Sequence, residues 1–160
     1  GFIATIERAS PVLATDNPIY RDQDRVIVDD AATADELYRR LRPALPERIG
    51  PLTLHGLNPR LRMYRYRTGQ RFAPHMDHWY MQDERTITLL TVLVYFNDDF
   101  EGGETRFHEQ VERTVVPRAG SAVIFQHKLR HEGCALRRGS KYAMRSDVLY
   151  RGPEPLRLPG

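Results

Sequence analysis

Cysteine is nearly missing from this chain: Cys134 is the single one in 160 residues. No intramolecular disulfide can form, and a lone thiol reads as a small buried hydrophobe before it reads as a nucleophile. Lysine is almost as scarce. Of 24 basic residues only Lys128 and Lys141 are lysine, and the other 22 are arginine. Long apolar runs are lacking too. The longest, LLTVLVYF from Leu89 to Phe96, is too short to span a bilayer. No signal peptide is visible, so no membrane partner is expected and the expected compartment is the cytoplasm. The first residues are Gly1 and Phe2, without a Met, which is consistent with trimming. A one-signed charge stripe is also absent. The net charge is +3, basic residues are scattered among acids, and no nucleic-acid motif appears, which argues against DNA or RNA as a partner.

What is present is an ordinary globular composition, 41 % apolar, in a chain long enough to bury one core. Residues 1–160 read as a single domain. Residues 10–24, SPVLATDNPIYRDQD, carry loop chemistry, either an idle connector or a mobile cover for a site. Thr33-Ala34-Asp35-Glu36 has the form of a capping box. Leu37, Leu41 and Leu45 then recur at helical spacing until Pro43 and Pro46 stop the pattern, predicting one helix of about ten residues.

The rest reads as strands. Arg25–Asp30, Arg60–Arg67 and Ile87–Phe96 are the strongest. Shorter ones are expected at Glu104–His108, Thr114–Val116, Ala122–Gln126 and Lys141–Tyr150. Regular turns and one amphipathic helix suggest a mainly β fold, a double-sheet jelly roll with the helix on its outer face. Residues 151–160 are Pro-rich and read as a frayed tail.

Chemistry concentrates in APHMDHW, residues 73–79. In extended chain His75 and Asp77 leave the same face and can converge on one ion. Two such groups leave a metal under-coordinated, so a third ligand must come from far along the chain. His131, in FQHKLRHEGC, is the best candidate and His127 the competitor. Two His and one carboxylate form the facial triad of non-haem Fe(II) oxygenases.

Three blocks in order, YRYRTGQRFAPHMD, TVLVYFNDDFEGGETRF and GSAVIFQHKLRHEGCALRRGSKYAMRSDV, together resemble the prolyl 4-hydroxylase-like branch of the Fe(II)/2-oxoglutarate oxygenases. The resemblance covers about Val26 to Tyr150. It implies a double-stranded β-helix with His75, Asp77 and His131 as iron ligands, leaving His127 and His78 structural or supporting roles. It also implies 2-oxoglutarate and O2 as cosubstrates, with ascorbate as a candidate reductant. The implied reaction is hydroxylation, with release of succinate and CO2, of an amino-acid, peptidyl (prolyl-type) or related small-molecule substrate. Halogenating relatives lack the carboxylate that Asp77 supplies, so oxidation is favoured here. Two features depart from the pattern. The supporting helices that precede the barrel in many relatives look curtailed, and Trp79 places a bulky group where the pocket mouth is expected.

The distal carboxylate of 2-oxoglutarate needs a buried cation. Lys141 lies where this branch places its basic residue. With only two lysines among 24 basic residues, a lysine there is unlikely to be filler. Strand parity puts Tyr64 and Tyr66 on one face, and Thr91, Leu93 and Tyr95 on another. Those faces are assigned to the cavity, and the face of Val92, Val94 and Phe96 to the helix. Tyr66 and Tyr95 match tyrosines that contact 2-oxoglutarate in relatives. Parity also places Ala143, Arg145 and Asp147 with Lys141. Arg145 then either pairs with Asp147 or another acid in the barrel, or waits for a substrate carboxylate. Arg145, Trp79 and Tyr64 are the candidate substrate contacts. A cupin-like zinc hydrolase and a catalytically silent ligand-binding module are the rival readings.

Overall fold

The computed structural model describes residues 21–109 and 111–156. Thirteen strands and one α-helix, α1, follow in chain order among them. Strand β1 (Asp24–Asp29) leads into α1 (Ala31–Leu41), and a short 3-10 turn (Arg42–Ala44) precedes β2 (Arg48–Ile49) and β3 (Leu52–Leu57). Then come β4 (Arg60–Arg67), β5 (Phe72–His75), β6 (Thr86–Tyr95), β7 (Glu101–Gly102), β8 (Thr105–Phe107) and β9 (Arg113–Val115). The series ends with β10 (Ala122–Gln126), β11 (His131–Gly133), β12 (Leu136–Arg138) and β13 (Ser140–Arg151).

The large sheet is organised by β13. Its whole second face of hydrogen bonds goes to β6, while its other edge pairs first with β4 and then, past Arg145, with β3. Beyond these lie β1 on β4, β10 on β6 and β2 on β3, all antiparallel. A smaller sheet runs β5-β11-β8-β9, and β7 pairs with β12. The two larger sheets form the jelly roll.

Parity decides what each face of the large sheet does. Leu61, Met63, Val92, Val94, Met144 and Val148 are buried on one side, packed with Ala34 and Leu45 and flanked by Leu37 and Leu41. The helix therefore lies on the outer, apolar face. The opposite face carries Tyr64, Tyr66, Thr91, Leu93, Lys141, Ala143 and Arg145 into the barrel.

Three sequence expectations need correction. The helix cap is Asp30, not Thr33: its carboxylate accepts the Thr33 N–H at 3.0 Å and the Thr33 hydroxyl at 2.7 Å. The helix starts at Ala31, so Thr33 lies inside the first turn and reaches back to the cap. Arg151–Leu156 is not frayed: Arg151 ends β13, and Gly152 and Leu156 donate to the Arg85 and Glu84 carbonyls. Of the expected mobile stretch 10–24, residues 10–20 lie outside the described residues. Asp22 is pinned, since its carboxylate accepts the Arg71 N–H at 2.7 Å and its carbonyl accepts from the Gln70 amide at 2.6 Å. Residues 157–160 also lie outside the described set. Among the described residues no helix is long and apolar enough to cross a membrane.

Candidate metal and cosubstrate site

The register of the small sheet brings the two histidines together. His75 ends β5, His131 begins β11, and they are direct cross-strand partners. Their rings lie 4.3 Å apart between centroids. Phe72 stacks on His75 at 3.7 Å and Phe125 packs edge-on against His131 at 4.6 Å, so both rings are walled by aromatics. Asp77 follows two residues after His75. Its backbone N–H donates to the His127 carbonyl at 2.9 Å, which turns its carboxylate toward β6. There Thr91 donates its hydroxyl to Asp77 Oδ2 at 2.5 Å.

His75, Asp77 and His131 are buried, and one ligand atom from each lies within 4.8 Å of the others. The tautomers suit a metal. His75 Nδ1 lies 2.8 Å from the Ala73 carbonyl, and His131 Nδ1 lies 2.9 Å from the Leu129 carbonyl. Only an N–H can bond a carbonyl, so the proton sits on Nδ1 and each Nε2 presents a lone pair. Those Nε2 atoms face Asp77, at 3.7 Å for His75 and 3.8 Å for His131. Burial, then the neighbouring His131, pushes the His75 pKa down to about 4. Burial also lowers that of His131. Burial opposes ionisation of Asp77, but Arg145, His131 and the Thr91 hydrogen bond outweigh it and hold the carboxyl below its ordinary value. Two neutral imidazoles and one carboxylate thus converge, a donor set that fits Fe(II).

The competitor is placed elsewhere. His127 is buried, with Nδ1 2.9 Å from the Thr91 hydroxyl and Nε2 3.2 Å from the Thr88 hydroxyl. Its ring supports Thr91 from behind and its carbonyl holds Asp77. His78 is exposed, which corrects the supporting role expected of it: the chain turns outward after Asp77 and takes its side chain away from the barrel.

Lys141 lies deeper along β13. It is 2 % exposed, and its Nζ donates to the Gly103 carbonyl at 2.6 Å. The ammonium sits 5.0 Å from the Tyr66 ring centre and 5.2 Å from that of Tyr95. No carboxylate contacts it among the described residues, and burial pushes its pKa down to about 8. Tyr95 shares a hydrogen bond of 2.7 Å with Thr105, a partner that sequence reasoning missed. Burial raises the phenol of Tyr66 well above its ordinary value and that of Tyr95 to about 12, so both stay neutral donors.

From Asp77 a chain of ion pairs runs along β13, away from Lys141. Arg145 Nη1 lies 2.6 Å from Asp77 Oδ1, and Nη2 lies 3.0 Å from Asp147 Oδ1. Arg62 Nη1 contacts the other Asp147 oxygen at 2.8 Å. Of the expected substrate contacts, Tyr64 and Arg145 line the cleft, whereas Trp79 is 50 % exposed and outside its lining.

The fold and this arrangement can be set beside known proteins. A viral collagen prolyl hydroxylase from Paramecium bursaria Chlorella virus-1, solved with 2OG, superposes with a TM-score of 0.70 at 19 % identity, covering 93 % of this chain and 87 % of the other. A Pseudomonas putida prolyl-4-hydroxylase gives 0.65 at 19 % identity, covering 94 % and 80 %. A Trichoplax adhaerens prolyl hydroxylase, solved with a hypoxia inducible factor oxygen degradation domain peptide fragment, gives 0.66 at 16 % identity, covering 85 % and 67 %. No curated protein sequence matches the chain. The family model of the 2OG-Fe(II) oxygenase superfamily matches residues 61–146, more than half of the chain. That span runs from β4 through the His75–Asp77 pair to β13, and the chain belongs to this superfamily as a 2-oxoglutarate-dependent dioxygenase.

Proposed function

We propose that His75, Asp77 and His131 hold Fe(II), that Lys141, Tyr66 and Tyr95 bind 2-oxoglutarate, and that the product is a hydroxylated amino-acid, peptidyl or related small molecule. Residues 1–160 are read as one oxygenase domain. The observation that carries the assignment is the pairing of two sites: a cluster of two neutral histidines and Asp77, and a buried lysine that no carboxylate among the described residues neutralises. With O2, the iron and its cosubstrate supply oxidative decarboxylation to succinate and CO2, coupled to substrate oxidation, and ascorbate serves to keep the iron reduced.

The chain's own residues prepare that chemistry. The Ala73 and Leu129 carbonyls hold both imidazoles in the metal-binding tautomer. Thr91 and Arg145 fix the two oxygens of Asp77. Lys141 is positioned to take the distal carboxylate of 2-oxoglutarate, with the Tyr66 and Tyr95 rings packed around it and the Thr105 hydroxyl orienting Tyr95. Phe72 and Phe125 exclude water from the histidines. Tyr64 and Arg145 face the space where a substrate must lie.

The test is succinate formation with added Fe(II), run beside Mn(II) binding. His131→Ala should lose both. His127→Ala should keep most turnover, because His127 touches Thr91 and not the ion. A dead His127→Ala with an active His131→Ala would refute the ligand assignment.

A further inference from the structure

The large sheet turns more positive charge toward the cavity than iron and 2-oxoglutarate can use. Its register sets the cavity-facing side chains in rows. Arg25 of β1 is opposite Tyr64, and Tyr64 is opposite Ala143. In the next row Ile27 is opposite Arg62, and Arg62 is opposite Arg145. Ala143 contributes only a methyl group, so the cleft opens beside Tyr64. Arg25 is the direct neighbour of Tyr64 on one side of its strand, and Arg145 is the diagonal neighbour on the other.

Arg25 and Arg145 each carry a buried Nε–H with no acceptor among the described residues. Gln23, two residues before Arg25 and on the same face, is 4 % exposed, and neither atom of its amide head has a partner there. Buried donors without acceptors are rare in folded proteins, and each calls for an explanation. Three such side chains on one wall point to an acceptor brought by a ligand.

The charge balance gives the sign of that ligand. Inside the cleft Lys141 and Arg145 are set against Asp77 and Glu132, Arg62 is held by Asp147, and Arg25 of β1 adds a cation with no carboxylate partner among the described residues. Asp29 and Arg60, cross-strand partners at its exposed end, offset each other. Fe(II) and the 2-oxoglutarate dianion bring equal and opposite charge, so loading the site leaves the excess of positive charge in place. Arg145 has both Nη groups committed to aspartates and offers its Nε–H; Arg25 is in no ion pair among the described residues and offers its guanidinium.

Resting on the oxygenase reading above, we propose that the substrate is a small carboxylic acid, such as a free amino acid, whose carboxylate is bound between Arg25 and Arg145 beside Tyr64. An internal residue of a long peptide presents neutral amides there and would leave the cations unbalanced.

The test uses the full chain loaded with Mn(II) and saturating 2-oxoglutarate, so that Lys141 is occupied and no turnover occurs. Calorimetry then measures binding of free L-amino acids, their primary amides, and tripeptides with free or amidated carboxyl ends. Free acids should bind at least tenfold more tightly than their amides, and more tightly than either kind of tripeptide. Arg25→Gln should weaken the best acid at least tenfold and Arg25→Lys should recover part of that, while 2-oxoglutarate affinity moves less than twofold. The proposal is overturned if no acid binds, if amides or amidated tripeptides bind as well as acids, or if Arg25→Gln binds acids normally. If 2-oxoglutarate fails to bind the Mn(II)-loaded wild type, the oxygenase site itself is wrong and this proposal falls with it.

Discussion

Lys141→Met should make the protein more stable and unable to use 2-oxoglutarate. Among the described residues the buried ammonium has one carbonyl acceptor, Gly103, and no carboxylate. Burial moves its pKa from an ordinary 10.5 to about 8, which corresponds to roughly 3 kcal/mol against the charged form at neutral pH. Methionine removes that cost and keeps an apolar stem of similar length. It also forfeits the Gly103 hydrogen bond, about 1 kcal/mol, and the contacts with the Tyr66 and Tyr95 rings. The net gain is therefore roughly 1–2 kcal/mol, or about 2–8 °C in Tm for a chain of this size. The sign with pH follows from proton counts. Between pH 8 and 10.5 the unfolded lysine keeps a proton that the folded one has lost, so wild type gains stability relative to the variant as pH rises through that window. Thermal or urea unfolding without cosubstrate, at pH 7 and at the upper end of the window, measures both effects. Calorimetry on Mn(II)-loaded protein should show 2-oxoglutarate affinity reduced by about a hundredfold or more, the cost of a charge-paired group losing its partner in a buried site. A variant less stable than wild type at pH 7, or one with the same pH trend, would refute the reasoning.

Gly103→Ala should disturb the same pocket from the other side. Gly103 has φ +67°, and an added Cβ would meet Leu136 Cδ1 at 3.0 Å and Lys141 Cδ at 3.1 Å. A loss of about 1–3 kcal/mol in unfolding free energy and a raised half-saturating 2-oxoglutarate concentration are expected; unchanged 2-oxoglutarate dependence would show that Lys141 tolerates the intrusion. Thr91→Val removes the hydroxyl that holds Asp77 Oδ2 at 2.5 Å, and should weaken Mn(II) binding by about tenfold or more with little change in fold. Equal metal affinity in the two proteins would remove Thr91 from the support of the site.

The long strands are legible for two reasons: β4, RLRMYRYR, alternates, and β6, TITLLTVLVY, is a β-branched and aromatic run. One rule of parity was enough to put Tyr64, Tyr66, Thr91, Tyr95 and Lys141 on the cavity side and Val92 and Val94 under the helix. Of the short strands, β8, β9 and β10 are legible, and others are not. Strands β2, β7, β11 and β12 have only two or three residues, fewer than a pattern needs, and they exist because a neighbouring strand offers hydrogen bonds. β3, LTLHGL, alternates for only four residues before Gly56. The helix cap failed for a different reason. Thr33-x-x-Glu36 is a valid cap signal, but Asp30-x-x-Thr33 precedes it and wins, because an aspartate can accept from both the backbone and the hydroxyl of Thr33.

In the site, the sequence carried residue types and spacings but not the partners of each charge. Lys141 and Arg145 are four apart on one strand and face the same cavity, yet the fold treats them in opposite ways. Lys141 is surrounded by rings and given a single carbonyl. Arg145 is clamped by two aspartates contributed from positions 77 and 147, and Asp147 is itself held by Arg62. A pairing across 68 residues, from Asp77 to Arg145, leaves no trace in local pattern. Its consequence is chemical. A cation without a carboxylate is a place for an anion to bind, whereas a cation with two carboxylates first serves to orient them. Arg145 fixes Asp77 opposite Thr91 before any ion arrives, so the carboxylate is set in place in advance and does not have to be recruited. Arg25 has no such clamp, and the only sequence clue to it was its place on the strand whose alternate residues face Tyr64. The division of labour we propose for Lys141, Arg145 and Arg25, as cosubstrate anchor, carboxylate brace and anion receptor, follows from which acids the topology delivers to each one.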